Sequence, residues 1–353
     1  MKTAPLKFTK QWRHALTDYG TALAWSPDGT WLAAASAAGD VALHGLTDTV
    51  LTLRPADGQA MSALGFASSG QWLAAAGQGG NLTVWDMGTS RPAIAFTQSH
   101  AGTWIDQLAW HPSQNHLAYG IGSQVQIWDV DQKTPLATLN FEKSSALHLA
   151  WHPAGDRLAV SGHGGVQVWA TDNWSAEPTR VAVPGASLYS AWSPEGRYLS
   201  SGNLDRTLTV AEWDSPPPWL MQGFPGKVRQ LAWSTPMTKS GAPLVAAACV
   251  EGVTVWERDR GSGQGWRSRV LQHHLERVNG IAFQPETLLL ASAAQDGSIA
   301  LWDQGKKLAQ TLKFPNGGCS ALAWHPIEPG FVVAGTEGDL VFWQQATRSK
   351  GFG

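Results

Sequence analysis

The sequence predicts an all-β protein: an eight-bladed β-propeller of four-stranded antiparallel blades, its ring closed by the N-terminal strand. Three observations lead there. A motif centred on one aromatic residue recurs eight times, at about the 40–45-residue period of a four-stranded propeller blade. Each copy is followed, about eighteen residues on, by an alternating strand that mostly ends in Trp. The 353 residues include 20 Trp, 38 Gly and 20 Pro, a composition of short strands and tight turns rather than long helices.

The first landmark reads LAWSP ending at Pro27, LGFAS around Phe66, and LAWHP at Pro112 and Pro153. It continues as SAWSP at Pro194, LAWSTP at Pro236, IAFQP at Pro285 and LAWHP at Pro326. The aromatic anchors Trp25, Phe66, Trp110, Trp151, Trp192, Trp233, Phe283 and Trp324 are separated by 41, 44, 41, 41, 41, 50 and 41 residues. The second landmark runs to Leu46, Asp86, Asp129, Ala170, Asp214, Glu257, Asp303 and Gln344. Between the two lies a strand ending in small residues, such as WLAAAS, WLAAAG and LLLASAA. A fourth follows in TVLTL, PAIAF, PLATL, WRSRVL and LAQTL. Four short strands per unit leave little room for helix.

The eighth unit reaches its Trp strand at Phe342–Trp343 with no outer strand after it. The segment LKFTKQWR resembles LAQTLKF in length and alternation and can supply it, removing a sheet edge and locking the ring. Residues 1–346 are therefore read as one propeller and 347–353 as a short tail.

These landmarks resemble those of the WD-repeat family, over essentially the whole chain. The fullest match is HHLERVNGIAFQPETLLLASAAQDGSIALWD, residues 273–303. The resemblance implies a buried polar network of His274, Ser292, Asp296 and Trp302. Most other units lack the His, the Asp or both. It also implies that partners bind the face carrying the entrances to the innermost strands.

Hydrophobic residues form 43% of the chain and charged residues 15%, enough for a large core and too little charge for disorder. A formal net charge of −2 gives no global sign of nucleic-acid or anionic-membrane binding. Cys249 and Cys319 are too few for a disulfide framework and fit a reducing compartment. The start MKTAPLKFTKQWRHAL lacks the apolar core of a secretory signal, and no apolar run approaches membrane-spanning length. A cytoplasmic location is the expectation.

Enzyme chemistry finds no support: no nucleophile elbow, zincin helix or Cys-pair metal spacing is present, and no cofactor is expected. The glycine-rich GQGGN and SGHGGV join strand to strand, so no helix N-terminus awaits a phosphate. His111, His152 and His325 occupy identical AWHP turns, but a three-His zinc site needs convergence that blades three, four and eight cannot provide. They read as turn residues. The repeated Trp residues and the Ala before most of them read as packing between blades near a crowded axis.

Two surfaces remain. The entrance face carries Tyr19, Met61, Trp104, Asp106, His148, Tyr189, Arg229 and Arg277, aromatic and mixed in charge, types favoured at interface centres. Lys227, Asn279 and Cys319 precede innermost strands in the same way. On the opposite face, the run SPPPW to Trp219 and the insertion ERDRGSGQGWRSR with Trp266 form a second candidate, a loop Trp beside Arg. The leading expectation is a non-enzymatic scaffold or assembly factor for proteins of unspecified identity. The alternative is a small-ligand or metal-binding propeller that uses the axial channel, with His148 and His163.

Overall fold

In a computed structural model describing residues 6–47, 49–89, 91–141, 144–250, 252–259, 261 and 265–346, the strands form eight four-stranded antiparallel sheets. No helix occurs among the described residues. Blades 1 to 8 open with the innermost strands Gly20–Trp25, Met61–Phe66, Leu108–Trp110, Ala146–Trp151, Ser187–Trp192, Gln230–Met237, Val278–Phe283 and Cys319–Trp324. Neighbouring innermost strands touch all the way round, including blade 8 against blade 1. The structure is the expected eight-bladed propeller.

Packing follows from side-chain size. The second strands carry the alanines, and Leu32 to Ala35 and Leu73 to Ala76 are fully buried. Small side chains let sheets converge near the axis, where blades crowd. Farther out the gap between blades widens, and Trp85, Trp302 and Trp343 of the third strands fill it. The outer strands are the least buried, as in the eeeieie pattern of Lys307–Lys313. One hydrophobic cluster joins Phe8, Trp324 and Trp343 of blade 8 with Leu289 and Leu301 of blade 7, so each gap between blades is a small core.

The ring closes through Phe8–Ala15, which pairs antiparallel with Asp339–Gln345 as the outer strand of blade 8. Phe8 faces Gln345 and Ala15 faces Asp339, with a bulge between Lys10 and Trp12. Phe8 and Trp12 point into the core. The Gln310 amide, on the outer strand of blade 7, grips the backbone of Phe8 on both sides. Its Oε1 accepts from the Phe8 N–H at 2.7 Å and its Nε2 donates to the Phe8 carbonyl at 2.9 Å. Arg13 pairs with the nearly buried Asp339 carboxylate at 2.6 Å. The 347–353 tail lies outside the described residues.

The SPPPW run differs from its expected place in a loop. Ser215–Met221 is the outer strand of blade 5, with Trp219 opposite Val210. Proline has no N–H to donate, and an edge strand is where a sheet tolerates that. Successive prolines also deny a template to a second chain. Blade 6 is enlarged as expected, its first strand extending past a bulge to Met237 opposite Pro243.

Candidate functional site

The repeated aromatic and His residues serve the ring. The indole N–H of Trp110, Trp151, Trp233 and Trp324 donates to the carbonyl of Gly65, Ala109, Ala191 and Ala282, each in the preceding blade, at 2.8, 3.0, 3.2 and 2.8 Å. The AWHP histidines reach the other way. His111, His152 and His325 place Nε2 at 3.0, 3.1 and 3.0 Å from the carbonyls of Gly155, Gly196 and Gly29 in the following blade. For His325, Nδ1 accepts the backbone N–H groups of Ile327 and Glu328 at 3.1 and 2.8 Å, so the proton sits on Nε2. Each ring also stands edge-on to the next blade's anchor Trp, at 4.8, 4.8 and 4.6 Å. These side chains staple neighbouring blades.

The network implied for blade 7 is formed, with one further member. Ser292 Oγ receives the Trp302 indole N–H at 2.9 Å and lies 2.7 Å from His274 Nε2. His274 Nδ1 lies 2.7 Å from the Ser298 hydroxyl, which donates to Asp296 at 2.5 Å. Ser298 thus bridges His and Asp. Burial pushes the His274 pKa down to about 4, with Asp296 opposing and His273 adding to the shift.

The entrance face leaves different side chains free in each blade. Trp104 is 58% exposed, beside exposed Asp106, while the intervening Ile105 is fully buried and anchors the loop. Tyr19 is half-buried. Met61 is turned inward, 4% exposed, in the core between blades 1 and 2, and offers a partner no surface. Cys319 is also buried, and burial lifts its thiol pKa to about 12. Arg229 and Arg277 are brought together: with Arg206 and Lys227 they line a cavity of about 390 Å³ between blades 5, 6 and 7. Arg206 adopts a positive φ of 67° at the tip of its turn.

His148 and Tyr189 form a ring pair on the innermost strands of blades 4 and 5, with centroids 3.8 Å apart. Desolvation drives the His148 pKa down to about 4, partly opposed by a backbone hydrogen bond with Ser190, and raises that of Tyr189. His148 faces Ser161 across its hairpin, whereas His163 is exposed at the turn, and no hydrogen bond or ring contact joins the two histidines. Among the described residues no group of three or more His, Cys, Asp or Glu is placed to hold a metal ion.

Trp219 and Trp266 do not stand free as loop anchors. Both are half-buried in an aromatic cluster with Tyr198 and Trp233 that seals blade 5 against blade 6. Trp266 meets Tyr198 at 5.4 Å, Trp233 at 5.8 Å and Trp219 at 6.4 Å. Arg258 caps the Trp219 ring at 4.4 Å. Arg258 of the insertion thus lies over Trp219 of the neighbouring blade rather than over the loop's own Trp266, and the contact is internal to the blade pair.

With this geometry in place, comparison with known proteins defines the class. The family model "WD domain, G-beta repeat" matches residues 17–43, 48–86 and 265–303. Two of these segments begin with an outer strand, Val50–Arg54 or Trp266–Leu271, and end with the third strand of the next blade. The sequence repeat therefore straddles two blades, which is why one strand is left over to close the ring. The chain is an eight-bladed β-propeller that matches WD repeats at these three places, consistent with a WD-repeat family. Over 89 residues it is 32% identical to the ribosome biogenesis protein ERB1 of Malassezia globosa, covering 21% of this chain and 10% of that protein. Over 93 residues it is 28% identical to the APC/C activator protein CDC20 of Saccharomyces cerevisiae, covering 23% of this chain and 15% of that protein. The likeness thus spans a small part of each relative.

Proposed function

We propose that this propeller is a non-enzymatic scaffold that holds other proteins through its strand-entrance face. One observation carries the reading. The repeated residues near the opposite ends of the innermost strands are consumed by bonds between blades, whereas the entrance face presents side chains that differ from blade to blade. Trp104, Asp106, Arg229 and Arg277 are exposed there. A rigid disc with independently variable loops suits recognition rather than turnover. The two relatives, one a ribosome biogenesis protein and the other an activator of APC/C, are consistent with a role in protein assemblies. A photo-crosslinking residue placed at Trp104 should capture protein partners in the native lysate, and one at Ile327, 70% exposed on the opposite face, should not. Equal capture at both positions, or at Ile327 alone, refutes the assignment of the face.

A further inference from the structure

We propose that the cavity between blades 5, 6 and 7 is a receptor for a short acidic segment of a partner protein, one whose carboxylates flank a small apolar side chain. The proposal rests on the entrance face being the partner surface and names what part of it recognises.

The cavity holds four cations and no carboxylate among its described lining residues. Arg206 stands on the turn between the second and third strands of blade 5, Lys227 and Arg229 lead into blade 6, and Arg277 leads into blade 7. All four are exposed, while Ala248, Cys249 and Val278 beneath them are buried. Asp205 and Glu276 adjoin Arg206 and Arg277 in the chain without forming ion pairs with them, and Arg277 spends its Nε on the Asn279 amide at 2.9 Å. In a chain of net charge −2, four cations gathered in one cavity with no carboxylate among the described lining residues repel one another. An anionic ligand relieves that repulsion, and guanidinium groups bind carboxylates through paired N–H donors.

Shape and lining select the kind of anion. Val250, 43% exposed, lies in the cavity beside the cations and gives an apolar neighbour somewhere to bury. No aromatic side chain is among the described lining residues to stack a base. The four cations gather around a compact cavity of about 390 Å³, whereas a phosphate backbone is followed by an extended track of positive charge. A compact basic cavity with one apolar wall fits a few residues of acidic peptide.

The test uses the full chain and a fluorescein-labelled ten-residue peptide of alternating Glu and Val, with a Gln/Val peptide and a twenty-nucleotide oligo(dT) as comparisons. Fluorescence anisotropy should show the Glu peptide binding and the Gln peptide not. Added salt, or the variant Arg229→Glu/Arg277→Glu, should weaken that binding by about tenfold or more. Both positions are exposed, and a melting curve matching that of the unaltered protein verifies the fold; Arg206→Ala/Lys227→Ala provides a second, milder loss. No binding of the Glu peptide, equal binding of the Gln peptide, or indifference to both variants overturns the proposal. Tighter binding of the oligonucleotide overturns it in favour of a nucleic-acid site. If the peptide test fails while crosslinking at Trp104 still captures partners, the scaffold reading stands and this inference falls.

Discussion

His325 Nε2 lies 3.0 Å from the carbonyl oxygen of Gly29, so the last blade donates a hydrogen bond to the first across the closure. The same pairing joins blade 3 to blade 4 and blade 4 to blade 5. Gly29 has a φ of +73°, and a Cβ there would stand 2.3 Å from the His325 ring. Gly29→Ala should therefore destabilise the fold by about 2 kcal/mol or more, through backbone strain and displacement of the ring. His325→Ala should cost about 1–3 kcal/mol by orphaning the Gly29 carbonyl and two turn N–H groups. Urea unfolding measures both, and a Gly29→Ala protein with an unchanged midpoint would rule out the staple.

The N-terminal strand is the second closure. Phe8 and Trp12 are 2% and 8% exposed, and removing either side chain alone should cost about 3–5 kcal/mol. Deleting the first thirteen residues removes both, frees the Asp339–Gln345 edge and breaks the Gln310 clamp. The melting temperature should fall sharply and aggregation should increase. A truncated chain that melts like the full one would show that the ring does not depend on this strand.

Acid should loosen the ring before carboxylates matter. Burial lowers the pKa of His44, His148 and His274 from 6.5 to about 4, with His14 adding to the shift at His44 and Asp40 opposing it. A folded pKa below the unfolded one means that unfolding takes up protons, so the stability is present in full above pH 6.5 and is lost as pH falls toward 4. At Asp296, burial raises the pKa but hydrogen bonds from Ser298 and Leu275 outweigh it, and its stability is lost only below 3.8. Melting temperatures from pH 8 to pH 4 should hold above about pH 7 and then decline, and His148→Phe should flatten the decline. A level profile down to pH 4 would contradict burial of these rings as neutral species.

Ser292 is the hub of the blade 7 network. Ser292→Ala leaves the Trp302 N–H and His274 Nε2 without partners in a buried site. The expected loss is about 1–3 kcal/mol. Trp302→Phe, which removes only one donor, should cost less, and a reversed order would mean that packing rather than polarity governs the site.

The fold was legible because its period is written in large residues: eight aromatic anchors and their following strands fix blade number and closure with no need for long-range information. The His staples were half legible. Reading each AWHP turn alone gave a turn residue, yet one blade after each of His111, His152 and His325 stands Pro-x-Gly, at Gly155, Gly196 and Gly29. That paired pattern was the signal, and it is visible only when repeats are compared one blade apart. Met61 was misplaced because in its inward-outward alternation a shift of one residue exchanges core for surface. Trp219 and Trp266 lie 47 positions apart in sequence, and nothing local announces that outer strands of adjacent blades bring them within 6.4 Å. Arg206 was missed for the same reason, since the basic cavity is assembled from three blades.

The most direct test of the scaffold reading is affinity capture from the native lysate, comparing the unaltered chain with a Trp104→Ala/Arg229→Ala variant and with Ile327→Ser on the opposite face, all three verified as folded. The account predicts that partners bound by the unaltered chain are retained by Ile327→Ser and lost from Trp104→Ala/Arg229→Ala. Identical partner sets across all three, or loss confined to Ile327→Ser, would contradict it.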